Sequence, residues 1–176
     1  YILPVSLKTL ARFQRLARGR IALMTFAPEL DGAEALPAAM ANLRIVPCVG
    51  HTLASAQRAA SVIGRRKAGM THLWNAMSGV DHRNPGVALF GLTDPNIYVE
   101  LNADGTHVAA DVVRLTYKAK NPDRIVLISD AVISAGGPEG EYGYMGTTVV
   151  ADAKGVYYRD NGTLVGSRRL LNESLG

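Results

Sequence analysis

Five short apolar runs at a near-constant interval constrain this chain more than any other feature of its sequence: residues 21–26, 45–49, 69–73, 97–101 and 125–129. Each is long enough for a buried strand and too short for a buried helix. Segments with helical character fall between them. Residues 34–43 have helical spacing, residues 52–66 are Ala-rich behind Thr52 as a candidate N-cap, and residues 109–120 stop just before Asn121-Pro122. Strand starts recur roughly every 25 residues, the interval of one βα unit. The spacing therefore predicts a parallel α/β architecture.

Such folds carry their chemistry at the carboxyl ends of the strands, whether the sheet is closed or open. Polar residues collect there: Glu29, His51, His72 with Asn75, Asp104 with His107, and Asp130. Five consecutive strands feeding one rim favour a barrel. An open doubly wound sheet would divide its loops about a switch point, and no GxGxxG phosphate fingerprint follows any run. The expected fold is a partial TIM-like (β/α)8 barrel, about five of its eight units being visible. After Asp130, short β-rich pieces at 143–150, 155–158 and 163–165 are separated by Gly, Asp and Asn, with turns expected around Lys154-Gly155 and Asn161-Gly162. Residues 1–142 thus read as the barrel portion, 143–167 as a β-rich excursion, and 168–176 as the start of a helix.

Composition excludes several classes. An apolar share of 48% and a mean hydropathy of +0.07 describe a globular chain, and a net charge of +4 from scattered basic residues is a poor basis for nucleic-acid binding. The one tight basic run, Arg65-Arg66-Lys67, suits a solvated helix end. Cys48, the single cysteine, lies inside an apolar run and reads as a small packed hydrophobe in a reducing compartment. No run approaches a membrane span, and residues 1–5 lack the features of a signal peptide, so a cytoplasmic protein with no membrane partner is expected. Tyr1 is not an initiator methionine, and further residues are expected upstream of it.

Taken singly, His51 or His72 reads as a hydrogen-bonded structural residue. Two of the chain's four histidines at neighbouring strand ends read instead as ligands of a divalent cation such as Zn²⁺, with Fe, Co or Mn as alternatives. Two imidazoles do not complete a zinc site, so a third protein ligand is required. Glu29 is one candidate; a solvated carboxylate is the other reading. Asp130 is either a turn aspartate or the carboxylate that takes a proton from attacking water and hands it to the leaving group. His107, after Gly105, divides between packing and substrate contact. Arg83, in a loop fixed by Pro85 and Gly86, is an anion-binding guanidinium or a surface arginine.

In series, Phe26-Ala27-Pro28-Glu29, Gly50-His51-Thr52, Thr71-His72-Leu73-Trp74-Asn75-Ala76-Met77, His82-Arg83-Asn84-Pro85-Gly86, Ala103-Asp104-Gly105-Thr106-His107-Val108, Ser129-Asp130-Ala131 and Gly162-Thr163-Leu164-Val165-Gly166-Ser167 resemble the N-acetylglucosamine-6-phosphate deacetylases of the amidohydrolase superfamily. Order and approximate spacing agree over residues 21–170. The resemblance implies a (β/α)8 barrel with a small β-sandwich and a homodimer at full length. It assigns His51 and His72 to the metal and Asp130 to catalysis as general base and then acid. It assigns Asn75, Ala76 and His107 to the sugar, Arg83 to the phosphate from the partner subunit, and Leu164, Val165 and Gly166 to a segment closing over substrate. By the same comparison Glu29 is not the family's metal-binding glutamate, which belongs to an earlier HLEGP-like motif absent here, as are the early HxH motif and a further substrate-contacting histidine. Ser129 and Trp74 depart mildly from the usual Thr and other aromatic. The expected reaction is metal-dependent hydrolysis of the acetamide of N-acetylglucosamine 6-phosphate. The alternatives are an amidohydrolase acting on another N-acyl or cyclic amide, and a non-catalytic sugar-phosphate-binding fragment.

Overall fold

The structure is a computed structural model, and it describes residues 3–174. The fold is mixed α/β, with one five-stranded and one four-stranded sheet. The chain forms two compact units, one from residues up to Glu100 together with Ala119–Val126, the other from Leu101–Lys118 and from Leu127 onward.

The first unit is built on parallel strands β1 (Leu23–Phe26), β2 (Val46–Val49), β3 (Ala68–Met70) and the start of β4 (Ile97–Asn102), with Leu23 opposite Val46, Cys48 opposite Gly69 and Ala68 opposite Ile97. With β5 (Ile125–Ile128) the sheet order follows the sequence, β1-β2-β3-β4-β5. Helix α1 (Leu7–Leu16) begins where the Ser6 side chain accepts the Thr9 N–H at 3.1 Å. It is tied down by buried Gln14, whose amide bonds Leu43 O at 2.9 Å and Ile21 O at 3.2 Å while accepting Ile21 N–H at 3.0 Å. A 3₁₀ turn (Ala33–Ala35) leads into α2 (Leu36–Asn42), which has Pro37 in its first turn, where the missing N–H costs nothing. The cap of α3 (Ala56–Ile63) is Ser55, accepting Arg58 N–H at 3.1 Å. Thr52, the residue expected there, is instead drawn into a bridge with Met77. Helix α4 (Val87–Thr93) was not legible as a helix, because it is apolar nearly all round: Val87, Ala88, Phe90, Gly91 and Leu92 are buried. Lys120, itself buried, caps its end by donating Nζ to Gly91 O at 2.8 Å and Asp94 O at 2.6 Å; burial pulls the ammonium pKa down. Met40, Ile45, Val49, Ile63, Met70, Leu73, Val87, Ile97 and Val99 fill the core at 2% exposure or less.

The second unit holds most of α5 (Ala110–Ala119) and the antiparallel strands β6 (Gly140–Tyr144), β7 (Thr147–Ala151), β8 (Val156–Tyr158) and β9 (Leu164–Gly166), paired in that order. The run 143–150, read from sequence as one piece, is divided by a two-residue turn at Met145 (φ 48°) and Gly146 (φ 82°) that pairs Tyr144 with Thr147. Two consecutive positive φ values match the right-handed twist of a tight hairpin. Val149, Ala151 and Val156 form a small core with Val132, Tyr142, Tyr144, Tyr158 and Val165. Helix α6 (Leu171–Ser174) ends the described chain; Leu175 and Gly176, which the sequence reading includes in that segment, lie outside the described residues.

Candidate active site

The two strand-end imidazoles of the first unit, His51 and His72, are aimed by unusual backbone. His51, just past β2, has φ 47°, and His72, two residues past β3, has φ 33°; Trp74 (83°) and Ala76 (48°) follow on alternate positions. Left-handed conformations are uncommon for residues with a Cβ, and their concentration after β2 and β3 marks the segment as functionally constrained. The chain can turn this tightly because Gly50 is at its start: a Cβ there would meet Thr71 Cβ at 2.8 Å and Thr25 Cγ2 at 3.0 Å. The two strand-end loops are zipped together by Thr52 N–H donating to Ala76 O at 3.0 Å and Ser78 N–H donating to Thr52 O at 3.0 Å.

The result is that His51 Nε2 and His72 Nε2 lie 2.9 Å apart, with the rings nearly perpendicular at 76°. His72 is buried, its N–H donates to Glu100 Oε2 at 3.2 Å, and its Nδ1 has no hydrogen-bond partner. Two nitrogens bound to one tetrahedral zinc ion lie about 3.3 Å apart, so this pair needs to open by only a few tenths of an ångström to serve as two ligands. The chemistry of the donors fits a divalent ion; the number does not complete a site, since no group of three His, Cys, Asp or Glu able to hold one occurs among the described residues. Glu29 is engaged otherwise: its carboxylate accepts from the Thr52 hydroxyl and from Leu53 N–H at 2.9 Å. Asn75 folds back, its Nδ2 donating to His72 O at 3.3 Å and Leu73 O at 3.4 Å. An apolar cavity of about 470 Å³ beneath α1 reaches Gly50 and His51. Arg83 lines a different cavity, of about 340 Å³, with Ser55, Gln57, Ser78 and Asn84; its loop is set by Asp81, whose Oδ1 accepts Arg83 N–H at 2.9 Å and Asn84 N–H at 2.6 Å.

In the second unit, the Asp104-Gly105-Thr106-His107 turn forms as the glycine suggests, with Gly105 at φ 75°. Asp104 Oδ1 accepts Thr106 N–H at 2.8 Å and His107 N–H at 2.9 Å, and its Oδ2 lies 2.7 Å from His107 Nδ1. Burial pushes the Asp104 carboxyl up, but these hydrogen bonds and the neighbouring imidazole outweigh it and hold the group below the ordinary carboxylate range. The His107 side chain is only 3% exposed, and its Nε2 faces Asp130 Oδ2 at 3.6 Å without a hydrogen bond. Asp130, past β5, is again left-handed (φ 50°), and its carboxylate is one-third exposed. Strand β9 runs beside it. Asp130 O accepts Ser167 N–H at 2.8 Å, and a Cβ on Gly166 would lie 2.7 Å from that same oxygen.

Within the first unit the structure brings together His51, His72, Asn75 and Ala76, and keeps Arg83 to its own cavity. Within the second it brings together His107 and Asp130, with Gly166 close against the Asp130 backbone, while Leu164 approaches Gly155 and Val165 packs on the small core of Val149, Ala151 and Val156. Sequence reasoning missed one member of the second cluster, Asn102, and placed another, Asp104, at the strand ends without a role. Asn102, fully buried, bonds Asp104 N–H, Ser129 O and the His107 ring, and Asp104 is His107's direct partner. The available signal was the Asp-Gly-x-His spacing itself, since an aspartate three residues before a histidine across a glycine turn can bond both its backbone and its ring.

No family model matches the chain. It is 32% identical over 173 residues to an N-acetylglucosamine-6-phosphate deacetylase from Bacillus subtilis, covering 98% of this chain and 43% of that protein. It is 34% identical over 145 residues to an N-acetylgalactosamine-6-phosphate deacetylase from Escherichia coli O157:H7, covering 82% and 38%. Among solved structures, a mutant N-acetyl-D-glucosamine-6-phosphate deacetylase from Mycobacterium smegmatis in complex with N-acetyl-D-glucosamine-6-phosphate superposes with a TM-score of 0.92 at 30% identity, over 97% of this chain and 45% of that one. The chain thus spans a little under half the length of these relatives. In sequence and backbone the chain matches the central to C-terminal region of N-acetylglucosamine-6-phosphate deacetylases.

Proposed function

We propose that this chain carries part of the active site of a deacetylase that hydrolyses the acetamide of N-acetylglucosamine 6-phosphate, giving glucosamine 6-phosphate and acetate. The observation that carries the reading is the His51–His72 pair, two ring nitrogens converging to 2.9 Å on strained strand-end backbone. The names of the relatives support the same reaction class. In this reading His51 and His72 are two of the ligands of a divalent ion, Zn²⁺ first and Fe, Co or Mn after it. A divalent ion there would polarise the amide carbonyl and acidify the attacking water. Asp130 accepts the proton of that water and later returns it to the departing amine. Asn75, Ala76 and His107 hold the sugar, Arg83 draws in the phosphate and converts remote binding energy into positioning, and Leu164, Val165 and Gly166 close the substrate side. The parallel sheet is read as part of a (β/α)8 barrel, the full-length protein as a cytoplasmic homodimer.

A second reading is favoured by one finding. The galactosamine relative is as similar as the glucosamine ones, so N-acetylgalactosamine 6-phosphate is the competing substrate. The test is acetate release from both sugar phosphates with added Zn²⁺, with Asp130→Asn run alongside. Release from one or both that falls at least about a hundredfold in the variant supports the assignment. An Asp130→Asn protein turning over at the wild-type rate removes Asp130 from this role, and a metal-loaded, folded wild type releasing no acetate from either sugar refutes the deacetylase reading.

A further inference from the structure

A donor, Asn102 Nδ2, and an acceptor, Asp104 Oδ2, compete for one nitrogen in the second unit. His107 Nδ1 lies 2.7 Å from Asp104 Oδ2 and 3.0 Å from Asn102 Nδ2. The Asn102 amide cannot turn to relieve this, because its Oδ1 accepts Asp104 N–H at 3.0 Å and its Nδ2 donates to Ser129 O at 2.9 Å. An unprotonated Nδ1 would suit Asn102 and set a lone pair against a carboxylate oxygen; a protonated Nδ1 would suit Asp104. Charge-assisted hydrogen bonds are shorter and about twice as strong as neutral ones, so the carboxylate decides and Nδ1 carries the proton. The other ring nitrogen is then the reactive one, and it is buried, has no hydrogen-bond partner, and faces Asp130 Oδ2 at 3.6 Å.

We propose that Asp104 is a positioning residue that holds His107 as its Nδ1–H tautomer, leaving the Nε2 lone pair facing Asp130 as the acceptor for a proton from that carboxyl group. In the step this permits, the Asp130 O–H bond breaks, its electron pair stays on the carboxylate, and the proton forms an N–H bond with the Nε2 lone pair; the reverse transfer restores both groups. The imidazolium formed is stabilised by Asp104, which remains ionised. The contact must shorten by about 0.8 Å, a closure ordinary between a free site and one holding substrate. The kinetic consequence rests on the deacetylase reading; the tautomer does not.

Asp104→Asn separates the roles. The remaining amide oxygen still accepts the Thr106 and His107 N–H bonds that shape the turn, while the new amide nitrogen joins Asn102 in donating to Nδ1. The proton must then move to Nε2, where it blocks transfer from Asp130. The experiment is long-range ¹H–¹⁵N NMR of histidine-labelled protein at neutral pH, with His107 assigned by its loss in His107→Gln. Wild type is expected to show a protonated Nδ1 and an unprotonated Nε2, and Asp104→Asn the reverse. A protonated Nε2 with a bare Nδ1 in the wild type overturns the proposal without need of any variant. So does an unchanged tautomer in Asp104→Asn. In turnover, Asp104→Asn is expected to lose about a hundredfold in kcat with KM held within about threefold; equal losses in both, or none, overturn the proton-acceptor role. A wild type that releases no acetate yet shows the Nδ1–H tautomer and its reversal refutes the deacetylase reading and upholds the positioning.

Discussion

Replacing Gly166 by alanine tests whether β9 fixes the position of Asp130. A Cβ at this position would lie 2.6 Å from Val132 Cγ1 and 2.7 Å from Asp130 O. Comfortable non-bonded contact needs about 3.5 Å, so some 0.8 Å must be opened. Val132 can turn its side chain away. Asp130 O cannot, because it accepts Ser167 N–H at 2.8 Å while Val132 N–H donates to Ser167 O at 3.1 Å, and these two bonds hold the segments in register. Overpacking of this kind typically costs about 1–3 kcal/mol, and weakening one of the two bonds adds about 1 kcal/mol. The expected loss is therefore about 2–4 kcal/mol in the stability of the second unit, with faster hydrogen exchange at the Val132 and Ser167 amides. Gly143→Ala is the control, since a Cβ there meets nothing within 4 Å and its φ is ordinary; it should stay within about 0.5 kcal/mol of wild type. Urea denaturation and amide exchange read both. If Gly166→Ala matches the control in stability, and the Ser167 amide exchanges as in wild type, the close approach of β9 to Asp130 has no energetic weight and the argument fails.

Gln14→Ala removes three hydrogen bonds that join α1 to the entry of β1 and the exit of α2. At about 1 kcal/mol each, denaturant titration should show a loss of roughly 3 kcal/mol, and a loss under about 0.5 kcal/mol would show that water replaces the amide freely. The Asp104 carboxyl, held below its ordinary range in the folded chain, contributes stability that is complete above the unfolded-state value and lost as pH falls through the folded one. The stability difference between wild type and Asp104→Asn should accordingly narrow as pH drops from about 5 toward 2, and a difference constant over that window would show that the carboxylate's hydrogen bonds carry no net weight.

The strands of the first unit were readable because each is short, apolar and bounded by polar residues, and β1, β2, β4 and β5 fall within or one residue beyond the expected runs. Strand β3 starts one residue early and closes at Met70, because the chain turns at once into the left-handed segment that carries His72. Periodicity failed for α4, whose buried surface wraps the helix, and for the cap of α3, where a hydroxyl three residues downstream of Thr52 does the capping. Candidate residues were legible by type and position: His51, His72, His107 and Asp130 all stand at strand ends or in the loops just beyond them. Their partners were not. Glu29 reads from sequence as a candidate ligand, yet it is held by Thr52 and Leu53, a pairing that depends on two loops from different strands.

Backbone conformation was the least legible property and the one closest to function. Of the non-glycine residues with positive φ among those described, Arg18 and Arg44 follow helices and Met145 forms a hairpin turn; His51, His72, Trp74, Ala76 and Asp130 all lie just past strands of the parallel sheet. Histidine and aspartate adopt such conformations more readily than tryptophan or alanine, yet each is still disfavoured, by about 1–2 kcal/mol. They persist where the neighbouring strands are anchored: Val49 and Met70 are wholly buried at the ends of β2 and β3, and the bonds from Thr52 and Ser78 fix the loops beyond. A glycine at position 51 or 72 would relieve the strain and carry no imidazole. The side chain that the chemistry requires and the backbone that aims it are therefore in direct conflict at the same residue. The buried strands β2 and β3 supply the rigidity that settles this conflict in favour of the convergent imidazole pair.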